Sequence, residues 1–149
     1  MIVLVFSCQQ TIKKEDTNIQ SDETIEIKEN SKRIQYQDVM RQKEFSMTLN
    51  GPCDDATDDT IHEIYVSYIE AKLITDSSAT IDFKFIGACC LDFMGDYKIH
   101  NDTLLFEFEH VNNEPCICEC WYRYKLKFNK LNTAVNHIDI KRKKHLPIE

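Results

Sequence analysis

The segment EPCICECWYRYKLKF, residues 114–128, alternates between two kinds of side chain along most of its length. From residue 116 to residue 128 the even positions are cysteine, tyrosine, leucine or phenylalanine, whereas most odd positions carry a charge. Side chains of a β-strand point to opposite faces in turn, so this period predicts a strand with one face on the core and one in water. Cys116, Cys118 and Cys120 are therefore expected on the buried face.

The same alternation recurs in other short segments that are separated by turn residues. Residues 81–93 place apolar side chains at odd positions; Gly87 predicts a bulge or bend there, and the sequence MGDY around Gly95 predicts a tight turn. Further strands are predicted at 61–75, 96–100, 103–109 and 135–142. Short strands without alternating helices predict an all-β fold, an antiparallel β-sandwich or a small barrel.

Residues 9–43 differ from the rest of the chain because they are polar, dense in both charges and contain one aromatic residue, Tyr36. Such a segment cannot bury enough apolar surface to offset its ordering entropy. We predict a disordered, flexible tether with a short helix near 31–43. The chain is thereby divided into residues 1–8, the tether 9–43 and a β-sandwich domain 44–149.

The charge balance and the absence of catalytic motifs restrict the function. A net charge of −7 argues against nucleic acid as a partner. The sequence has no phosphate-cradling glycine loop, no G-x-S-x-G and no H-E-x-x-H, so we predict no enzymatic activity. Ile117, Trp121 and Arg123 share the charged face of the cysteine strand and form a candidate binding face for a protein or a small ligand.

The first eight residues, MIVLVFSC, form a short apolar run that ends at a cysteine and is followed at once by polar residues. This run resembles the end of a bacterial lipoprotein signal peptide: Val5 fits the aliphatic position, Ser7 the small position and Cys8 the lipid acceptor. It is shorter than the ~7–15 apolar residues of a signal core, so we expect the complete signal to begin upstream. The resemblance implies a bacterial cell-envelope protein, anchored in a membrane by lipid on Cys8 and facing the periplasm or the cell exterior.

The folded part also resembles small cysteine-rich β-domain lipoproteins of bacteria. The resemblance rests on the adjacent pair Cys89-Cys90, the NDTL stretch at 101–104 and a C-x-C-x-C strand followed by aromatic residues. It implies no particular activity.

The cysteines are the chemically unusual feature of the chain. Of the seven, six remain when the lipid acceptor is set aside: Cys53, Cys89, Cys90, Cys116, Cys118 and Cys120. An even number in an exported domain predicts disulfides. Cysteines two apart on one strand have Cα atoms ~6.5–7 Å apart and parallel Cβ vectors, so those of the C-x-C-x-C strand are not expected to pair with one another.

Three arrangements of these cysteines remain open. In the simplest, Cys89 and Cys90 are bridged to two cysteines of the C-x-C-x-C strand and Cys53 to the third, and no cofactor is needed. The second is a zinc or copper site, because thiolates are favoured ligands of Zn²⁺ and Cu(I); its candidate ligands are Cys89, Cys90, Cys116, Cys118 and Cys120. The third is a set of buried thiols that pack as small apolar groups.

Overall fold

The computed structural model describes residues 20–56 and 65–144, and within these ranges the chain forms one helix and eight strands in two sheets. The elements are α1 (Gln20–Gln42), β1 (Phe45–Leu49), β2 (Asp54–Asp55), β3 (Ser67–Ile74), β4 (Ala79–Ala88), β5 (Phe93–His100), β6 (Thr103–His110), β7 (Glu119–Phe128) and β8 (His137–Arg142). The predicted all-β, sandwich-like fold is confirmed. No helix in this described part is long and apolar enough to cross a membrane.

Strand β7 is the centre of the larger, five-stranded sheet. It pairs with β4 along its whole length, from Ala79↔Phe128 to Ala88↔Glu119. Its other edge is shared by β1, which pairs with residues 124–128, and by β2, which pairs with residues 120–121. Strand β3 pairs with the far edge of β4, and every pairing in this sheet is antiparallel.

The smaller sheet has the order β5-β6-β8 and contains one parallel pair. Strands β5 and β6 form an antiparallel hairpin whose turn includes Asn101, with a positive φ of 55° that asparagine tolerates better than most residues. Strand β8 runs parallel to β6, with Thr103 opposite His137 and Phe108 opposite Arg142. This pair departs from the expected all-antiparallel arrangement, because the chain leaves β6 for β7 in the other sheet and only then returns as β8.

Aromatic side chains fill the space between the two sheets. Phe83 and Phe85 from β4 and Phe106 and Phe108 from β6 are completely buried. The rings of Phe85 and Phe108 have centroids 4.5 Å apart, and those of Phe83 and Phe108 are 5.5 Å apart. The alternation predicted for these strands and for residues 120–128 is confirmed, because their inward positions are the buried ones.

Two glycines serve close packing rather than the turn and the bulge that the sequence suggested. Gly95 lies inside β5, where a Cβ atom would come within 2.6 Å of the Glu107 carbonyl oxygen and of the Phe106 ring. At Gly87 a Cβ atom would come within 3.0 Å of the Phe93 ring, while the β4–β7 ladder continues through this residue without a shift. Side chains from neighbouring strands occupy the space at both positions.

The strand predicted at 61–75 is present as β3, and the bulge of the larger sheet lies in it. The register against β4 shifts between Ile69 and Ala71. Residues 61–64 lie outside the described part of the chain, and most of β3 is exposed because the strand is at the sheet edge.

Helix α1 is longer than the short helix expected near 31–43, and it covers most of the segment that we predicted to be a disordered tether. It contacts β5 and β1. Val39 and Met40 pack against the core, and Arg33 pairs with Asp92 at 2.9 Å. The helix predicted near 31–43 is present, but its extension back to Gln20 was missed. The ionic partners of the helix lie on strands far away in the sequence, so no local pattern signals the full length. Residues 9–19 are outside the described ranges, and the domain boundary at residue 44 stays a prediction.

Candidate functional site

The described cysteines lie at one end of the sandwich, where β4 ends and β7 begins. Beyond the last ladder pair, Ala88↔Glu119, a further backbone–backbone hydrogen bond joins the two segments, from the Cys89 amide to the Cys118 carbonyl oxygen at 3.1 Å. Residues 116–118 are outside β7, which begins at Glu119, so the strand predicted from residue 116 starts three residues later. Of the three cysteines expected on the buried face, Cys120 is fully buried, Cys116 is half-buried and Cys118 is exposed.

Two disulfides join cysteines of the described segments. Cys53 is bonded to Cys120 across the β2–β7 edge, with Cα atoms 5.6 Å apart. Cys90 is bonded to Cys116, with Cα atoms 6.1 Å apart. As expected, no disulfide joins two members of the C-x-C-x-C segment, and Cys53 is paired with one of them. The expectation that both Cys89 and Cys90 are bridged is wrong, since only Cys90 is. Strand β4 ends at Ala88, and in the turn that follows the Cys90 side chain reaches Cys116 whereas the Cys89 side chain faces the other disulfide.

A third cysteine lies against the Cys53–Cys120 disulfide. The Sγ atoms of Cys53, Cys89 and Cys120 all lie within 4.8 Å of one another. This set differs from the five cysteines proposed from the sequence as a metal site. It includes Cys53 and omits Cys90 and Cys116, which are bonded to each other, and the exposed Cys118. Cys118 lies outside both disulfides and is exposed.

Two polar side chains hold the loop that carries Cys89 and Cys90. Asn112 is buried; its Nδ2 donates to the Cys90 carbonyl oxygen at 2.8 Å, and its Oδ1 accepts from the Asp92 amide at 2.8 Å. The Tyr122 hydroxyl lies 2.8 Å from the Ala88 carbonyl oxygen and 2.9 Å from that of Leu91, to which it donates. These contacts satisfy buried backbone groups and fix the position of the cysteine loop.

Burial governs the acidity of Tyr122. Removal of its hydroxyl from water disfavours the phenolate and raises the pKa to about 12. Nearby Cys89, Asp92 and Cys118 raise the pKa further when they are charged. At neutral pH the hydroxyl therefore keeps its proton and remains a donor.

The candidate binding face is divided between a strand and the loop before it. Ile117 is fully exposed in the loop. Trp121 and Arg123 are half-buried on the outer face of β7. The Trp121 ring lies 6.0 Å from the ring of Tyr68, and the Lys84 ammonium lies 5.0 Å from the Trp121 ring centroid. The outer face thus carries an aromatic patch, which we define as Tyr68 and Trp121 with the flanking charges of Lys84 and Arg123.

A polar cluster between α1 and β6 was missed by the sequence analysis. Tyr36 donates a hydrogen bond to Glu109, and Lys32 is 2.5 Å from the same carboxylate. Burial opposes ionisation of Glu109, but the hydrogen bonds from Lys32 and Tyr36 and the charges of Lys32 and Lys143 outweigh it, so the pKa of Glu109 is lowered. No sequence spacing signals this cluster, because its members are far apart in the chain.

The comparisons with family models, curated proteins and solved structures gave no significant match. Cys8, the expected lipid acceptor, lies outside the described residues.

Proposed function

We propose that this protein is an exported, membrane-anchored lipoprotein of the bacterial envelope whose cross-linked domain has a non-catalytic binding or structural role. The observation that carries the proposal is the presence of two disulfides at one end of the sandwich. Disulfides persist in oxidising compartments and are rare in the cytosol. They agree with the export that the residues before Cys8 imply.

The anchor in this proposal is lipid on Cys8. Residues 9–19 separate this cysteine from the start of α1 at Gln20. Eleven residues span at most roughly 40 Å when fully extended, so the folded domain would stay close to the membrane surface. Two or more acyl chains are needed for stable anchoring, which the lipoprotein modification provides.

The aromatic patch is the surface that we propose for a partner. Buried phenylalanines fill the space between the sheets, so we expect a ligand to bind on an outer face. Tyr68 and Trp121 offer aromatic rings beside the cations of Lys84 and Arg123, a combination that is common in energetically important parts of interfaces. The partner in this proposal is a protein or a small ligand, and not nucleic acid.

The anchor is tested by expressing the chain behind a complete lipoprotein leader, with Cys8→Ala and Cys118→Ala compared. We expect the wild type and Cys118→Ala to fractionate with membranes and to incorporate a labelled fatty acid. Cys8→Ala should lose the label and appear in the soluble fraction. Cys118→Ala is the matched control, because it removes an exposed cysteine that lies outside both disulfides. Retention of both the label and the membrane association in Cys8→Ala would contradict the proposal.

A further inference from the structure

Three chain segments bring sulfur atoms together at the edge of β7. Cys120 is in β7, with Asp55 of β2 opposite it on one side and Gly87 of β4 opposite it on the other. Cys53 lies two residues before Asp55, and Cys89 lies two residues after Gly87. The sheet register therefore fixes the backbone on both sides of Cys120, and the three sulfur atoms lie within 4.8 Å of one another.

Once the Cys53–Cys120 bond is broken, the three sulfur atoms can adopt the spacing of a thiolate metal site. A metal–sulfur bond of ~2.3 Å places the sulfur atoms of a trigonal site ~4.0 Å apart. In the disulfide the sulfur atoms of Cys53 and Cys120 are bonded ~2.05 Å apart, so after reduction these two atoms must separate by ~2 Å to reach the trigonal spacing. The Cys89 sulfur atom already lies within 4.8 Å of both. Soft thiolate ligands favour Cu(I), a d¹⁰ ion that accepts three of them without requiring a fourth ligand.

We propose that Cys53, Cys89 and Cys120 form a Cu(I) site that the Cys53–Cys120 disulfide closes and its reduction opens. A dithiol reductant supplies two electrons and two protons: the Cys53–Cys120 bond breaks, both cysteines become thiols, and the reductant becomes a cyclic disulfide. Cu(I) then binds the sulfur atoms as thiolates, and their protons pass to solvent. The inference goes beyond the proposed function and does not depend on the lipid anchor.

The burial of the three residues suits an ion that enters from one side. Cys120 is fully buried, whereas Cys53 and Cys89 are half-buried. The inner ligand is thus held by the strand, while the other two border solvent. Cys53 follows Gly51-Pro52 in the connection from β1 to β2, outside any strand, so it can separate from Cys120 with less disruption than a ladder residue.

The test is a Cu(I) titration of the full chain in a Cys8→Ser background, which removes the remaining thiol upstream. The protein is reduced with a phosphine in oxygen-free buffer and titrated against a chromogenic Cu(I) chelator, with thiolate–Cu(I) charge-transfer absorption as a second readout. We expect one tightly bound Cu(I) per reduced chain and none per oxidised chain. Loss of a partner that only orients a ligand costs ~10–100-fold in metal affinity, so loss of a ligand in Cys89→Ser should weaken binding by at least roughly 100-fold.

Cys118→Ser is the matched control, because it has the same number of cysteines as Cys89→Ser but alters an exposed residue outside the cluster. It should bind Cu(I) as the parent does. Unchanged affinity in Cys89→Ser, an equal loss in Cys118→Ser, or equal binding by the oxidised chain would overturn the assignment. Circular dichroism measures the fold in every sample. Loss of the strand signal in the reduced parent would also overturn the proposal. If only Cys89→Ser fails to fold, Cys53→Ser provides the same test.

Discussion

Removal of the Cys90–Cys116 disulfide is the perturbation whose effect follows most directly from the structure. The double variant Cys90→Ser/Cys116→Ser replaces two half-buried sulfur atoms with hydroxyl groups of similar shape. The loop around them remains held by Asn112, which donates a hydrogen bond to the Cys90 carbonyl oxygen and accepts one from the Asp92 amide. Most of the effect should therefore arise in the unfolded chain, which gains conformational freedom when the cross-link is lost.

The magnitude is set by the 26-residue separation of the two cysteines. In the chain-entropy account a bridge over that separation stabilises the folded state by ~3.5 kcal/mol at 25 °C. Since each ~1.4 kcal/mol is tenfold in an equilibrium constant, the unfolding equilibrium constant should rise roughly 300-fold. The slope of unfolding free energy against urea should also increase, because the uncrosslinked unfolded chain exposes more surface.

Urea unfolding in non-reducing buffer measures both quantities, with the fluorescence of Trp121, the one tryptophan of the chain, as the probe. Cys118→Ser is the control; its exposed side chain lies outside both disulfides, so its unfolding free energy should stay within ~0.5 kcal/mol of wild type. A loss below ~1 kcal/mol in the double variant would refute the cross-link argument. So would an equal loss in the control.

Two further changes test the packing and the polar cluster. Gly95→Ala should lower the unfolding free energy by ~1–3 kcal/mol or more, because the new Cβ atom meets the Glu107 carbonyl oxygen; an unchanged urea midpoint would contradict this. Because the pKa of Glu109 is lowered in the folded state, its ionised form stabilises the fold at pH values above the ordinary pKa of 4.5. This contribution is lost as the pH falls through the folded-state pKa. Glu109→Gln should therefore be less stable than wild type at neutral pH and should lose less unfolding free energy on acidification. Urea midpoints measured from neutral pH down to about pH 3 test this. An equal fall of the midpoint with pH in both proteins would count against it.

The strands were predictable where a local period controls burial. The alternation of residues 120–128 and 81–85 identifies the inward face correctly, because each of these strands has one face on the core. Gly95 was wrongly predicted to lie in a turn. A side chain is excluded at this position because Glu107 and Phe106 on the neighbouring strand occupy the space, and no local pattern reveals that contact. The parallel β6–β8 pairing has no local signal either, because it follows from the path of the chain between the sheets.

The candidate site was predictable in composition and only partly in arrangement. The cysteine count and the rule against pairing within C-x-C-x-C are consistent with the observed disulfides. The extension of the strand period back to Cys116 failed, because the β7 ladder begins at Glu119 and the residues before it follow the loop. The helix contacts of Glu109 with Lys32 and Tyr36 were not predictable, since long-range ion pairs leave no pattern in the sequence.

The two disulfides are nested, with the Cys90–Cys116 loop inside the Cys53–Cys120 loop. This order affects oxidation during synthesis, because the N-terminal cysteines become available before their native partners. Once Cys89 and Cys90 have appeared, Cys53 has only them as downstream partners until residue 116 follows. Oxidation at that moment would create a bridge that the native pairing does not contain. The native pairing therefore forms only if oxidation occurs after Cys120 is available or if an early bridge is exchanged, and uncatalysed disulfide rearrangement takes minutes to hours. If the chain is exported as proposed, we expect a disulfide isomerase to accelerate the formation of this nested pairing.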